Sequence, residues 1–361
     1  MQVVHVVESF GGGVIGFVAQ LVVSLPRHNH IVVHAIRSGE VDPEITKARF
    51  PATTQFIIWP HAVREVGLVS DTKALLSLVQ ILRRLRNPHT VVHLHSSKAG
   101  FLGRIAAQLV GIKAVAYTPN AAAFLRQDIS DSKKRVFALL ERLGFIFRGR
   151  VVACSPSEAA ALAKVGVRSL TIANGTEINP LSRLHPEDGT HFVTFINTGR
   201  TTPQKDPAFF NQVALALAHR PSVRFLWVGT GELDHLLTSP NITITGWLAK
   251  AEIQQLLGQS QIYLSTSTWE GLSFAILEAM ERGLPLLLRR CVGNVDQVVD
   301  GKNGYGFSKL SEAVERANQM ADSPTQLDVM GQESRKRLED LFSLHACSTA
   351  YNHLYKALLS A

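Results

Sequence analysis

The sequence predicts an α/β protein of two domains, each a parallel sheet with helices on both faces. Three observations carry that reading. The chain has 361 residues, more than one ordinary domain of about 150 to 200 residues holds. Short β-branched and apolar runs alternate with longer stretches of helical period from one end to the other. Those runs are apolar throughout rather than alternating, the pattern of strands buried on both faces.

Taken in order, the chain opens on the strand-like run Val3 to Val7, a glycine cluster, the helical pattern Val14 to Leu25 and a second strand, Ile31 to Ala35. Further strands are expected at Phe56 to Trp59, Val91 to His95, Ala114 to Thr118, Val151 to Ala153 and Thr171 to Ala173. Helical patterns at Lys73 to Leu85, Ala99 to Leu109 and Lys133 to Phe145 separate them, so strand–helix–strand units follow one another in a Rossmann-like manner. From Asn174 to His191 the periodicity stops in NGTEINPLSRLHPEDGTH, which reads as a linker. A second Rossmann-like unit follows, with strands expected at Thr194 to Asn197, Val223 to Val228, Ile242 to Ile244, Ile262 to Leu264 and Leu286 to Leu288. Two such units are expected to face a cleft. The domains are therefore placed at 1–178 and 190–344, and the amphipathic stretch Leu344 to Leu359 is expected to return to the first domain as a terminal helix over 345–361.

Hydrophobic residues make up 46% and charged residues 18%, a globular balance that excludes disordered, collagen-like and disulfide-scaffold classes. Cys154, Cys291 and Cys347 are odd in number and lack metal spacing, so they read as packing residues. Val14 to Leu25 is broken by Gly16, Gln20 and Ser24 and falls short of the roughly 20 apolar residues of a span. No basic segment precedes it, so a signal peptide is not expected either and a cytoplasmic location is. Residues 1–180 carry 21 Lys and Arg against 11 Asp and Glu, a net +10, whereas the rest carries 16 against 18. The first half should face something anionic: RNA, an anionic membrane surface or a phosphorylated substrate.

Three motifs carry chemistry. Gly11-x-Gly13-x-x-Gly16 lies between strand and helix, where backbone N–H groups and a helix N-terminus can meet a phosphate. A dinucleotide site also wants an acid at the end of the second strand, but that strand runs into Ile36, Arg37 and Ser38, with Glu40 too late. A glycine loop for another phosphate is the preferred reading, and plain turn glycines the alternative. In the second domain Thr198-Gly199-Arg200 and then Lys205 put two cations at one strand end, either to clamp a diphosphate or as solvated loop cations. The strongest motif is Glu270-Gly271-Leu272-Ser273-Phe274-Ala275-Ile276-Leu277-Glu278, where a strand and loop lead into a helix. N–H groups of the first turn around Ser273, Phe274 and Ala275 suit a phosphate, and a carboxylate suits vicinal hydroxyls. A nucleotide sugar offers both; the plainer alternative is a capping Glu270 and a solvated Glu278.

EGLSFAILEAMERGLP, NTGRTTPQKD and WVGTGEL, with VVHLHSSKAGFLGRIAA, YTPNAAAF, VVACSPSE and TIANGTEI in the first half, together resemble the family-4 (group 1) retaining glycosyltransferases of the GT-B fold over nearly the whole chain. The resemblance implies that Glu278 binds the donor ribose and Glu270 the donor sugar hydroxyls. It implies further that Arg200 and Lys205, with Gly199, hold the diphosphate, that Gly12 and Gly13 approach the same phosphate, that Gly229 and Gly231 make room for the nucleoside, and that Gly246 to Leu248 border the base. Where the family commonly has a histidine in a TPH-G-like strand end, this chain has Tyr117-Thr118-Pro119-Asn120, followed by Ala121. Asparagine can hydrogen-bond a sugar hydroxyl but cannot carry a proton at neutral pH, so Asn120 is either a surrogate or a mark of impaired chemistry. His93 and His95 share one face of a strand, cleft side or packed side, with core histidines the preferred reading.

There is no DxD motif and no His/carboxylate cluster, so no metal and no cofactor are implied, and Arg200, Lys205 and helix amides are expected to hold the diphosphate. The mechanism the resemblance implies is retaining transfer through an oxocarbenium-like transition state, the leaving phosphate taking the acceptor proton. The donor is expected to be a nucleoside diphosphate sugar, by default a UDP-sugar, and the acceptor a glycan or lipid-diphosphate-linked hydroxyl in surface-polysaccharide assembly. Two other classes compete: a GT-B protein that binds without turnover, and an NADP-linked oxidoreductase using Gly11 to Gly16 and Arg37. Nucleic acid is not expected as a partner, because the cations lack interleaved aromatics or a known module. Finally, Arg126, Lys133, Lys134, Arg135, Arg142, Arg148 and Arg150 surround Val136, Phe137, Leu139, Leu140, Leu143, Phe145, Ile146 and Phe147. Most of that apolar set is expected in the core, with the cations meeting an anionic membrane peripherally at the inner face of the cell membrane.

Overall fold

The computed structural model describes residues 1–8, 10–36, 43–63, 66–180 and 192–361. Arg37, Ser38 and Glu40, considered above for a ribose or phosphate, lie outside the described residues, as does 181–191 of the expected linker. The chain divides into two compact units, one of Met1–Leu125, Ile129–Gly175 and Leu344–Ala361, the other of Arg126–Asp128 and Thr176–Ser343.

The first unit runs β1 (Gln2–Val7), α1 (Gly12–Ser24), β2 (Asn29–His34), α2 (Pro43–Lys47), β3 (Gln55–Ile58), α3 (Leu68–Leu85), β4 (Thr90–His95), α4 (Ser97–Val110), β5 (Val115–Thr118), α5 (Asp131–Gly144), β6 (Arg150–Ala153), α6 (Pro156–Lys164) and β7 (Leu170–Thr171). Its sheet has the order β3-β2-β1-β4-β5-β6-β7, every pairing parallel. Side chains alternate across it. Val4, Val6, Ile31, Val33, Val92, Leu94, Val115 and Tyr117 enter one core. There α4 lies so close that a Cβ at Gly100 would stand 2.1 Å from the Tyr117 ring.

The second unit runs β8 (Val193–Thr198), α7 (Pro207–Ala216), β9 (Val223–Val228), β10 (Ile242–Ile244), α8 (Lys250–Gln259), β11 (Ile262–Ser265), α9 (Phe274–Glu281), β12 (Leu286–Arg289), α10 (Asn294–Gln297), β13 (Gly304–Phe307), α11 (Leu310–Ala321) and α12 (Pro324–Leu341). Its parallel sheet has the order β10-β9-β8-β11-β12-β13. In both sheets the chain winds outward from the first strand and then returns to its other side. The loops leaving β1 and β4, and those leaving β8 and β11, therefore part at a switch point, the place where open α/β sheets bind ligands. β13 and the helices α11 and α12 extend the expected set, and the strand ends elsewhere shift by one or two residues.

The last helix, α13 (Leu344–Ser360), belongs to the first unit. It covers the face of that sheet opposite the Val4 core, where Tyr351 and Tyr355 are fully buried. His93 Nδ1 stands 2.7 Å from the Tyr355 hydroxyl, Thr118 Oγ1 3.1 Å from that of Tyr351, and His28 Nε2 donates to Asn352 Oδ1 at 2.8 Å.

One expectation fails here. α5 buries only Glu141 and Gly144. Val136, Leu139, Leu143, Phe145 and Ile146 are exposed, Ile146 by 77%, and Phe137, Leu140 and Phe147 are half-buried. The inward face of α5 is taken up by a polar contact instead, Glu141 accepting from the Tyr117 hydroxyl at 2.7 Å beside the buried Arg104. The apolar residues point elsewhere because the helix turns its charged residue inward.

Candidate functional site

The loop between β8 and α7 begins with the expected cations. Arg200 is exposed and has no ion-pair partner among the described residues. Lys205 is well buried, and its Nζ donates to Glu270 Oε1 at 2.8 Å. Desolvation alone would lower the Lys205 ammonium, but the charge and hydrogen bond of Glu270 outweigh it and raise it, so the group is a cation at neutral pH. The pair brings together two of the residues singled out in the sequence, 65 positions apart. Gln204, which the sequence did not single out, donates to the Trp269 carbonyl at 2.9 Å and to Glu270 Oε2 at 3.3 Å. Thr268 N–H donates back to the Gln204 carbonyl at 2.8 Å. The two loops that leave adjacent strands β8 and β11 are thus stitched along their length. Burial and the nearby Glu270 push the neighbouring Cys291 thiol up to about 12, so it stays protonated.

Gly199, Gly229 and Gly231 form a second layer. Gly229 sits at φ 131, and a Cβ on it would stand 2.3 Å from the Gly199 carbonyl oxygen, so no other residue fits. Asp234 fastens these loops together, accepting from Thr201 Oγ1 at 2.5 Å, from Gly231 N–H at 3.0 Å and from the Thr230 hydroxyl. Desolvation pushes its carboxyl up, but those hydrogen bonds outweigh it and leave it below the usual range. Leu248 is half-buried and Trp247 beside it is 62% exposed, following Gly246 at φ 74.

Glu270 is buried before α9, and Glu278 is half-buried on it. Ser273 N-caps the helix with no side-chain hydrogen bond. From the sequence its N–H is expected among the amides that suit a phosphate. Instead it donates to Gln297 Oε1 at 3.3 Å, and Gln297 Nε2 donates to the Ser273 carbonyl at 3.0 Å. Buried Gln297 satisfies that amide from within.

In the first unit, Gly12 opens α1 at φ 69, and Gly12 and Gly13 are exposed. Gly11 at its N-cap has no side chain to cap it, and its first turn carries no acidic residue, so its leading amides suit an anion. Asn120 is half-buried at φ 53 at the end of β5, with Nδ2 a long 3.4 Å from the Thr118 carbonyl. Of the five non-glycine residues with positive φ among the described residues, Ser96, Asn120 and Ala121 follow β4 and β5, His61 follows β3 and Asp206 follows β8. Strain gathers at the C-terminal sheet edges.

His93 and His95 lie on the packed side. With His5 and His30 they form a buried row across β2, β1 and β4. The Leu25 carbonyl accepts from His30 Nε2 at 2.9 Å, which leaves His30 Nδ1 to accept from His5 Nε2, and His5 Nδ1 to accept from His95 Nε2, each at 3.2 Å. His95 Nδ1 ends the row without a partner among the described residues. The ring nitrogens of His5, His93 and His95 come within 4.8 Å of one another, close enough to share an ion. All but the last are already engaged in this chain or by Tyr355 and Thr118, and no carboxylate or thiolate is among them to offset a metal charge.

Residues 193–327 match the family described as "Glycosyl transferases group 1", and residues 12–175 match the "Glycosyl transferase 4-like domain". The chain is 28% identical over 312 residues, 79% of each protein, to the UDP-Gal:alpha-D-GlcNAc-diphosphoundecaprenol alpha-1,3-galactosyltransferase of Escherichia coli. It is 21% identical to the capsular polysaccharide biosynthesis glycosyltransferase CapM of Staphylococcus aureus, over 82% of this chain and 83% of that protein. Among solved structures it resembles Anabaena HepE in complex with UDP-glucose, with a TM-score of 0.77, 18% identity and full coverage of both chains.

Proposed function

The chain belongs to the family-4, group 1 glycosyltransferases of the GT-B fold, and we propose that it moves a hexose, with retention, from a UDP-sugar to a hydroxyl of a lipid-diphosphate-linked acceptor in surface-polysaccharide assembly. The observation that carries the reading is the Lys205–Glu270 pair at 2.8 Å, with the unpaired Arg200 on the same loop. Lys205 has three N–H donors and gives one to Glu270; the others and the Arg200 fork suit a diphosphate. Glu270 keeps oxygen lone pairs for sugar hydroxyls, and Glu278 is assigned the ribose. Gly199 stands with Arg200 and Lys205 at the diphosphate, Gly229 and Gly231 make room for the nucleoside, Leu248 borders the base, and the amides of Phe274, Ala275, Gly12 and Gly13 meet phosphate oxygens. Asn120 hydrogen-bonds the transferred sugar in place of a histidine.

In the reaction the bond from the sugar C1 to the β-phosphate oxygen breaks. The acceptor oxygen bonds to C1 from the same face, and its proton passes to the departing phosphate, releasing UDP. Arg200, Lys205 and the amides stabilise the charge that gathers on that phosphate, without a bridging metal in this reading. The relatives support a UDP-hexose and a lipid diphosphate through their own substrates.

In this reading a lipid-linked acceptor brings the enzyme to the membrane. Support comes from α5 and the turn that follows it, where Val136, Leu139, Leu143 and Ile146 are exposed on a segment that also carries Lys133, Lys134, Arg135 and Arg148. No helix among the described residues is long and apolar enough to cross a membrane, so the contact is peripheral in this reading.

Calorimetry with UDP tests the donor assignment. Glu278→Ala should weaken UDP by roughly 10- to 100-fold, the value of a charged hydrogen bond or two, while Glu270→Ala leaves UDP affinity nearly intact and lowers turnover. Equal UDP affinity of wild type and Glu278→Ala would contradict the assignment.

A further inference from the structure

After β5 the chain turns through Asn120 (φ 53) and Ala121 (φ 72), two consecutive left-handed residues of which neither is glycine. Such a conformation is strained for a residue that carries a Cβ and persists only where the surroundings dictate it. Here one side chain does so. Glu158 on α6 is fully buried. Its Oε1 accepts the N–H groups of Ala121 at 2.8 Å and Ala122 at 3.2 Å, while Oε2 accepts from Cys154 N–H at 2.8 Å and Cys154 Sγ at 3.1 Å. Ser97 Oγ takes the next amide, Ala123 N–H, at 3.0 Å.

Four donors and no acceptor face this carboxyl, a set that the ionised form satisfies and the protonated form does not. Burial pushes the group upward, and no Lys or Arg pairs with it among the described residues; only the donated hydrogen bonds hold the charge. A buried carboxylate without a counter-ion is costly, and here it is spent on the shape of a single turn. That turn stands at the C-terminal sheet edge and carries Asn120, whose Oδ1 accepts nothing from the described residues.

We propose that Glu158 is a positioning residue for glycosyl transfer: it locks the strained Asn120–Ala121 turn so that the Asn120 amide is held toward the transferred sugar. This rests on the assignment of Asn120 to the sugar made above. The bonds from Glu158 to Ala121 and Ala122 fix the direction in which residue 120 leaves the strand. Without them the turn can relax to right-handed or extended backbone, and the amide swings away while the nucleotide contacts on the second unit stay intact.

The test compares wild type, Asn120→Ala, Glu158→Gln and the double variant, using UDP release from whichever of UDP-galactose and UDP-glucose the wild type turns over, UDP affinity by calorimetry, and amide hydrogen exchange at Ala121 and Ala122. Glu158→Gln should lower kcat by roughly 10- to 100-fold, the cost of misplacing a group by about an ångström. Donor KM and UDP affinity should be unchanged, and the two amides should exchange faster. The double variant should be no slower than Asn120→Ala, because both changes remove one interaction. Multiplying losses, or an unchanged kcat in Glu158→Gln, would overturn the proposal. Wild-type turnover in Asn120→Ala would remove the assignment beneath it, and faster exchange in Glu158→Gln would then mark Glu158 as a loop staple only. Should Glu158→Gln fail to fold, Glu158→Asp decides: the shorter carboxylate cannot reach both the Ala121 and the Cys154 N–H groups, so kcat should fall with UDP affinity unchanged, and an unchanged kcat would overturn the proposal.

Discussion

Lys205 and Glu270 are each tolerable in their surroundings because of the other. With side chains 16% and 10% exposed, either charge alone would be largely desolvated without a partner. Lys205→Met should therefore cost about 1–3 kcal/mol in chemical denaturation, below the usual figure for a fully buried pair because some solvent reaches it, and should also abolish most UDP binding. Lys205→Met/Glu270→Leu should recover the stability and none of the binding; failure to recover it would mean that Lys205 stabilises the loop by packing rather than by charge. Both residues could be read from the sequence, since cation and carboxylate stand at fixed offsets from strand ends. Their pairing could not, nor could Asp234, Gln204 and Gln297, which reach 33, 66 and 24 positions along the chain for their partners. Hydrogen bonds of that span leave no periodicity behind.

At the scale of elements, α5 and α13 show how one amphipathic pattern serves two ends. Both helices have apolar stripes, but α13 lays its stripe, with its own Tyr351 and Tyr355, on the sheet, whereas α5 turns Glu141 inward and leaves its stripe exposed. Sequence periodicity locates a stripe and says nothing of what covers it. With each Lys or Arg worth about 1 kcal/mol near an anionic surface, α5 should carry the protein to anionic vesicles. Co-sedimentation should rise with anionic lipid content, fall with salt and drop on replacing Lys133, Lys134 and Arg135 by glutamate; no binding, or salt-independent binding to neutral vesicles, would refute this. Beneath α13 the prediction concerns protons. Burial holds His5, His93 and His95 well below the ordinary 6.5, His30 lies lower as well, and Tyr351, Tyr355 and Thr118 facing them offer no anion. The unfolded chain takes up protons below about pH 6.5 that the folded one refuses, so stability is full above that pH and lost below it, by up to about 1.4 kcal/mol per pH unit for each histidine. Denaturation midpoints at pH 7.5, 6.5 and 5.5 should fall steeply over the last interval, and less so in His95→Phe. Glu141 and Glu158, raised by burial, work in the opposite sense, since the folded chain binds their protons more readily than the unfolded one.

For the whole molecule, two parallel sheets and a returning terminal helix were legible because buried strands announce themselves as apolar runs and the glycine-rich strand ends recur at both switch points. β13 was not, since Gly304-Tyr305-Gly306-Phe307 reads as a turn until Leu286 to Arg289 pair with it. α12 was not, because its sequence is dominated by polar residues with a narrow apolar set, Leu327, Met330 and Leu338, buried beneath. The loops after β8 and β11 and the Asn120 turn belong to separate units of the chain, and the proposed reaction draws on both. The most direct measurement is therefore NMR of the product formed from an α-linked UDP-hexose and a lipid-diphosphate acceptor by the intact chain, with Glu270→Ala run beside it. An α-configured glycosidic bond, made by the wild type and not by the variant, is the predicted result; a β-configured product, or the same yield from Glu270→Ala, would contradict it.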